Sequence, residues 1–372
     1  MHQVVDQPGQ LTAALAAIDA DVVGVDVERT AAPRYHKPAA LIQVGTADRA
    51  VLVDSHLLGP TPELGEFLRA RRVVAHAATN DIESLDSASV RLDELDDTSI
   101  AAALLGLPTG LDPLLQELLD IALSPDKDKY QRANWERRPL PDEMAAYAAG
   151  DVLHLPALME ELHAMLDDLD RVEWYDQERA HMLASTRAAT RSWEDTKGSG
   201  RLDPSQRAVL RALWECREQI ADRRDLAPNT VLREATLVDL ATDPATTTRQ
   251  LQRRNERRGK PDDDAAELLF DAMDRGLAAD PEPRPRRSSS NAGTAVDRER
   301  HAAMRTARSE VAKELDVDAG VLCPGRVLWG PVHADVSSPD ELVAALDLRP
   351  WQLELLRDPL WTAWESVDAP TD

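Results

Sequence analysis

Two carboxylates, Asp26 and Glu28, end the apolar run "VVGVDVERT" at residues 22–30. Val22, Val23 and Val25 are β-branched and predict a buried strand. Residues two apart on a strand share a face, so the two acids lie side by side. Each raises the other's pKa unless a cation sits between them. Asp81 follows a second apolar run in "VVAHAATNDIESL", where a strand ending at His76 gives way to a polar turn and Asp81 opens a helix. On a later helix "YAAGD" places Tyr147 and Asp151 four residues apart, one turn along the same face. Singly, each has an ordinary reading: a hydrated strand end, an acid at a helix N-terminus, an amphipathic helix with a boundary tyrosine. In this order they are far more specific than any one alone.

Several elements must position these groups. Residues 22–26, 41–46, 50–53 and 73–76 read as short strands. Helical periodicity covers 10–18, 63–70, 80–87, 98–105, 111–122 and 142–166, the last as one long helix after "RPLP". Strands first, then helices crossing a mixed sheet, predict an α/β domain over 1–167. A partly helical linker over 168–202 ends at "KGSG". A helical domain follows over 203–280, then a Pro/Ser/Arg linker over 281–296 that predicts disorder, and a last helical domain over 297–372. A chain of 372 residues is expected to form two or three such domains.

With these words quoted, the chain resembles the DEDD 3′–5′ exonucleases of the tyrosine subtype, ribonuclease D among them. "DVERTAAPRYHKPAALIQVGT", "HAATNDIESL" and "NWERRPLPDEMAAYAAGDVLHLPAL" carry the likeness. "QRAVLRALWECREQIADRRDLAPNTVLREATLVDLA" resembles the HRDC domain, and the last domain is read as a possible second one. The resemblance implies a ribonuclease H-like α/β exonuclease fold followed by all-α HRDC-like domains. It implies that Asp26, Glu28, Asp81 and Asp151 hold two divalent ions, Mg²⁺ or Mn²⁺, whose preference is for hard oxygen ligands. Tyr147 would orient the attacking water. The activity implied is release of nucleoside 5′-monophosphates from RNA 3′ ends, with tRNA precursors the typical substrate. A single-stranded DNA exonuclease and an inert RNA-binding scaffold are the alternatives. One departure concerns the substrate loop: relatives commonly carry Ser/Thr-Asp-Trp where this chain reads "ANW" at 133–135.

Charge pulls the other way. The net charge is −24, the opposite of the strongly basic surface usual in nucleic-acid binders. Arg29, Arg34 and Lys37 follow the first motif, and "RQLQRRNERRGK" at 249–260 contains Arg253, Arg254, Arg257 and Arg258. These are the candidate phosphate contacts. Cys216 and Cys323 offer neither a disulfide framework nor zinc spacing. No apolar run is long enough to span a bilayer, and the N-terminus lacks a signal-peptide pattern, so a cytoplasmic protein is expected.

Overall fold

The β-branched runs form strands β1 His2–Val5, β2 Val22–Arg29, β3 Ala39–Gly45, β4 Ala50–Val53, β5 Arg72–Ala75 and β6 Asp96–Asp97. They make one six-stranded sheet in the order β1-β4-β3-β2-β5-β6. It is mixed: β2–β3 and β3–β4 pair antiparallel, while β1–β4, β2–β5 and β5–β6 are parallel. The computed structural model describes residues 1–30, 34–122, 127–130, 133–255, 261–283, 294–334 and 336–367, with 127 and 128 as backbone only.

Helices that bear on the site are α1 Ile82–Ser87, α2 Thr98–Leu104, α3 Asp142–Leu153, α4 Leu155–Asp168 and α5 Val172–Ala188. Later come α6 Pro204–Arg224, α7 Thr248–Arg254, α8 Asp263–Ala278, α9 Ala295–Glu314 and α10 Pro350–Glu365. The long helix expected over 142–166 is therefore two. It breaks at His154, just before Pro156, which has no backbone N–H to continue the hydrogen-bond ladder. From Pro350 on, the run "DLRPWQLELLRDPLW", whose sequence predicts a packed helix pair, belongs to the single helix α10, with Pro359 inside it. Strands β1 and β6, short and flanked by polar residues, were not legible as strands.

Close approach of α3 to the sheet depends on two glycines. A Cβ on Gly24 would lie 2.3 Å from the Val152 carbonyl oxygen, and one on Gly45 would lie 2.6 Å from Val152 Cγ2. Only glycine permits backbone and helix to meet at this distance. Ala145, Ala148, Ala149 and Val152 make the buried face of α3.

By its internal contacts the chain divides into two compact units. The first comprises 1–31, 38–188 and 288–372, the second 32–37 and 189–287. The 297–372 segment, set apart as a domain on sequence grounds, thus groups with the sheet in the first unit. Its Met304, Trp351 and Leu356 share one buried cluster with Leu104, Leu162 and Tyr175. Trp174 of α5 stacks on Trp351 of α10 with ring centroids 4.7 Å apart. Glu178 accepts hydrogen bonds from Arg349 Nε at 2.7 Å and Trp351 Nε1 at 2.8 Å. Arg171 donates to the carbonyls of Leu104 and Leu315 at 2.6 and 2.7 Å. Such a bond offsets the desolvation of a mostly buried guanidinium.

In the second unit α6 packs along α8. A Cβ on Gly276 would come within 2.6 Å of Val209 Cα, so the two helices nearly touch. Leu210, Leu213, Ile220, Leu237, Leu251 and Leu269 fill its core. Asn255, fully buried, donates to the Val231 carbonyl at 3.2 Å and accepts from Arg233 N at 3.3 Å, closing the α7 end onto α6's neighbours. The disordered linker expected at 281–296 lies mostly outside the described residues.

Candidate active site

Asp26 and Glu28 sit inside β2, not beyond its end. Asp26 pairs in register with Gln43 of β3 and Glu28 with Leu41, and the register shifts only after Glu28. The strand continues because β3, buried along its whole length, pairs with β2 from Gly24 through Arg29. Asp151 arrives from α3, brought within reach by the glycine contacts above. One carboxylate oxygen from each of Asp26, Glu28 and Asp151 can be chosen so that all lie within 4.8 Å of one another.

Three acids so close, half-buried, are costly as three anions. Burial first, then the charges of Asp26, Asp151 and Asp81, push Glu28 up to about 10 from its ordinary 4.5, with Arg29 opposing. Asp81 is outside that tight triple but feels it. Burial and then Asp26 raise it from 3.8 to about 8, again against Arg29. The donor set is all carboxylate oxygen, which fits a hard divalent cation and no soft one.

Asp81 caps α1 by position, yet its side chain makes no capping hydrogen bond. Its place is set by a buried acid that sequence reasoning missed. Asp97, 1% exposed, accepts from the backbone N–H groups of Ala77 and Ala78 at 3.0 and 2.9 Å, and from Ser99 N at 2.8 Å. It thereby holds the turn at Ala77, whose φ of 55° is left-handed. Tyr175 accepts from Asp97 N at 2.9 Å and donates to Asp96 at 3.0 Å, tying β6 to α5. The available signal was "LDDTSI", an acid directly before a helix start, which marks an N-cap.

Tyr147 lies on α3 one turn before Asp151 and hydrogen-bonds to it. Burial, then Asp151 and Glu28, raise the phenol well above its usual range, so it keeps its proton and can only donate or accept hydrogen bonds. Its ring lies 5.2 Å from Tyr130 and 6.2 Å from Trp135. Trp135 is buried and donates from Nε1 to the Tyr130 carbonyl at 3.1 Å. The tryptophan of the variant "ANW" triplet thus serves to build this aromatic wall.

The expected phosphate contacts divide. Arg29 stands beside Glu28 and Asp81, lowering both. Arg34 and Lys37 belong to the second unit, where Arg34 Nη1 is 3.2 Å from Asp225. Arg138, basic in sequence just before α3, is committed to the buried Asp54 through two nitrogens and also donates to the Trp135 carbonyl at 2.7 Å. Arg254 is paired with Asp243 and donates to its carbonyl as well. Arg253 carries no resolved ion pair among the described residues. Arg257 and Arg258 lie outside them.

Comparisons with known proteins agree with this geometry. A family profile described as 3′–5′ exonuclease matches residues 2–167, and one described as HRDC domain matches 206–260. Ribonuclease D of Pseudomonas paraeruginosa is 36% identical over 228 residues, 59% of each chain, so the match spans less than two thirds of that protein. Ribonuclease D of Nitrobacter hamburgensis is 30% identical over 306 residues, 77% of this chain and 79% of that one. The crystal structure of Escherichia coli RNase D, described as an exoribonuclease involved in structured RNA processing, superposes with a TM-score of 0.82 at 21% identity. It covers 99% of this chain and all of the other, a likeness of fold. No helix among the described residues is long and apolar enough to cross a membrane. With one relative matched at 30% identity over most of both chains, an exonuclease profile on the sheet and an HRDC profile behind it, the chain belongs to the ribonuclease D family.

Proposed function

We propose that this chain is a metal-dependent 3′–5′ exoribonuclease that releases nucleoside 5′-monophosphates one at a time, acting on tRNA precursors in the cytoplasm. The observation that carries the reading is the convergence of Asp26, Glu28 and Asp151 within 4.8 Å, with Tyr147 hydrogen-bonded to the last of them. Asp26, Glu28, Asp81 and Asp151 would hold two divalent ions, Mg²⁺ or Mn²⁺. Bound there, such ions supply an acidified water and stabilise charge on the leaving oxygen and the phosphoryl group.

What the protein's own groups do follows from their state. Asp26 and Glu28 are held by β2, Asp151 by α3, and Asp81 by the turn that Asp97 pins. Tyr147, neutral throughout the working pH range, orients a water by hydrogen bonding and takes no proton from it. Arg29 offers the scissile phosphate a positive neighbour within an otherwise anionic site. Residues 203–280, with Arg253 and its neighbours Arg257 and Arg258, would grip RNA at a distance in sequence from the chemistry. Arg34 and Lys37 are proposed as lesser contacts.

The test is incubation with Mg²⁺ or Mn²⁺ and labelled RNA and DNA oligonucleotides, each with a free or phosphate-blocked 3′ end. Stepwise mononucleotide release from free-ended RNA is expected. Release from DNA alone would establish the DNA exonuclease instead, and no release from either would establish an inert scaffold.

A further inference from the structure

The C-terminal helices of the first unit enclose an open cavity of about 700 Å³ that none of the above reactions uses. Its lining includes Arg305 and Arg308 of α9, Arg326 from the following loop, and the rings of His301, Trp329 and His333. His301, Arg305 and Arg308 recur at spacings of four and three, one face of α9. Among the described residues none of the three arginines forms an ion pair with a carboxylate, although the chain carries 67 acids against 43 Lys and Arg. Arg308 is 8% exposed; it donates from Nη1 to the Cys323 carbonyl at 2.7 Å, while its Nε is buried with no hydrogen-bond partner. A buried donor without a partner is unfavourable, and three like charges on one wall repel. In so acidic a protein, neighbouring carboxylates could easily have neutralised them.

Aromatic rings specify what kind of anion fits. Trp329 lies parallel to His301, centroids 4.0 Å apart, and parallel to His333 at 5.8 Å, each at 15°. His301 Nε2 is within 3.2 Å of the Gly325 carbonyl. Burial, helped by Arg305 and Arg308, lowers its pKa, so it contributes a π face more than a charge. Guanidiniums beside flat half-buried rings match a phosphodiester with its base, as in single-strand binders that pair a basic groove with stacking platforms. A free phosphate would use only the arginines, and an acidic peptide would leave the rings idle.

We infer that this cavity is an anchoring site for single-stranded RNA, with Arg305, Arg308 and Arg326 on the phosphates and the Trp329–His333 wall under a base. The inference rests on the reading of the chain as an RNA nuclease and adds to it where part of the strand upstream of the cleaved end is held.

The test uses the full-length protein. Affinity for a 20-nucleotide single-stranded RNA, and for the same backbone without bases, is measured by fluorescence anisotropy in EDTA from 50 to 200 mM salt. Arg305→Glu with Arg326→Glu should weaken RNA binding roughly tenfold or more, the effect of losing one charge-assisted hydrogen bond. It should also flatten the logarithmic salt slope by about 1.4 units, two phosphate contacts at about 0.7 each. His333→Ala should weaken binding of ordinary RNA about fivefold or more and leave the base-free strand unchanged. Arg305→Gln with Arg326→Gln gives the same slope change without charge reversal, should the first pair lower the melting temperature. Unchanged affinity and slope in the folded glutamine pair would overturn the inference. Equal losses on both strands in His333→Ala would overturn its stacking half. Trinucleotide hydrolysis separates the two readings: these variants should retain it, whereas a wild-type protein that releases no nucleotide refutes the nuclease reading whatever the cavity does.

Discussion

The acidic cluster and the arginine cavity belong to the same unit and hold charge in opposite ways. In the cluster a sheet strand and a glycine-backed helix press carboxylates together, half-buried, with Arg29 as the opposing cation. Such a site is rigid, small and strongly repulsive to itself, and it suits a compact divalent ion. In the cavity Arg305 and Arg326 are exposed on a helix and a loop, where water screens them, and Arg308 alone is buried. That arrangement tolerates an extended, flexible polyanion. The contrast teaches that like charges mark a binding site when the fold passes over available counter-charges, and that their burial tells how compact the missing partner is.

Removing charge from the cluster should have the largest effect. Asp26→Asn and Asp151→Asn are expected to cut turnover at least about a thousandfold, because a water without its ions keeps nearly its bulk acidity. Both variants should melt at or above the wild-type temperature in EDTA, since each relieves repulsion. Single-turnover assays beside thermal melts check this, and more than about a tenth of wild-type activity in either variant would dissolve the proposed ligand set. Removing the cavity's positive charge instead leaves chemistry intact, which is the sharpest form of the comparison.

Next in size is Tyr147→Phe. It deletes one hydrogen bond to the water and to Asp151, an interaction whose loss costs about 2.7–4 kcal/mol at most where it is made in the transition state. The chemical step should slow by about a hundredfold, with Mn²⁺ affinity nearly unchanged. Wild-type speed in single turnover would reduce Tyr147 to a packing residue against Tyr130 and Trp135.

The candidate site residues are legible in the sequence because their signals are local. Asp26–Glu28 is a strand period, Tyr147–Asp151 a helix period, and each could be read from a few neighbours. What positions them is not. Gly24 and Gly45 matter only because Val152, over a hundred residues later, needs the space. Asp97 reads as one more acid in "ELDD" until its contacts with Ala77 and Ala78 appear. The grouping of 297–372 with the sheet hangs on Trp174–Trp351 and Arg171–Leu315, pairs more than 140 residues apart. A chain cut near residue 200 would therefore lose part of the first unit's core, along with the whole helical region beyond it. The arginine cavity has no local sequence signal because its three cations are scattered over 22 positions, whereas the run at 249–260 concentrates its own.

The cluster also makes a prediction about stability against pH. Glu28 and Asp81 have folded-state pKa values raised to about 10 and about 8, from 4.5 and 3.8. Between the ordinary and the raised values the folded protein binds more protons than the unfolded chain, so stability falls as pH rises through that window. The slope is at most about 1.4 kcal/mol per pH unit for each retained proton. Metal-free protein should thus melt lower at pH 8 than at pH 6, and Mn²⁺ should raise the melting temperature more at pH 8, where the ligands bind as anions. A melting temperature in EDTA that climbs from pH 6 to pH 8 would contradict the raised values.

The smallest effect is expected in the basic run that the sequence makes most conspicuous. Arg254 is mostly covered, paired with Asp243 and bonded to its carbonyl, and it receives a hydrogen bond from Arg233 Nη2 on its own carbonyl at 2.9 Å. Its charge is already answered within the second unit, unlike those of Arg305 and Arg326. Asp243 is largely exposed, so the pair contributes no more than about 1 kcal/mol to stability. Arg254→Gln should accordingly lower the melting temperature slightly and leave both RNA affinity and the salt slope within error of wild type. Arg253→Gln, on the same helix but without an ion pair among the described residues, should flatten the slope by about 0.7 units. Parallel salt titrations of the two variants decide it. A slope change in Arg254→Gln as large as that of the cavity variants would show that an internal ion pair does not withhold an arginine from RNA. An intramolecular ion pair would then not separate structural arginines from RNA-binding ones in either region.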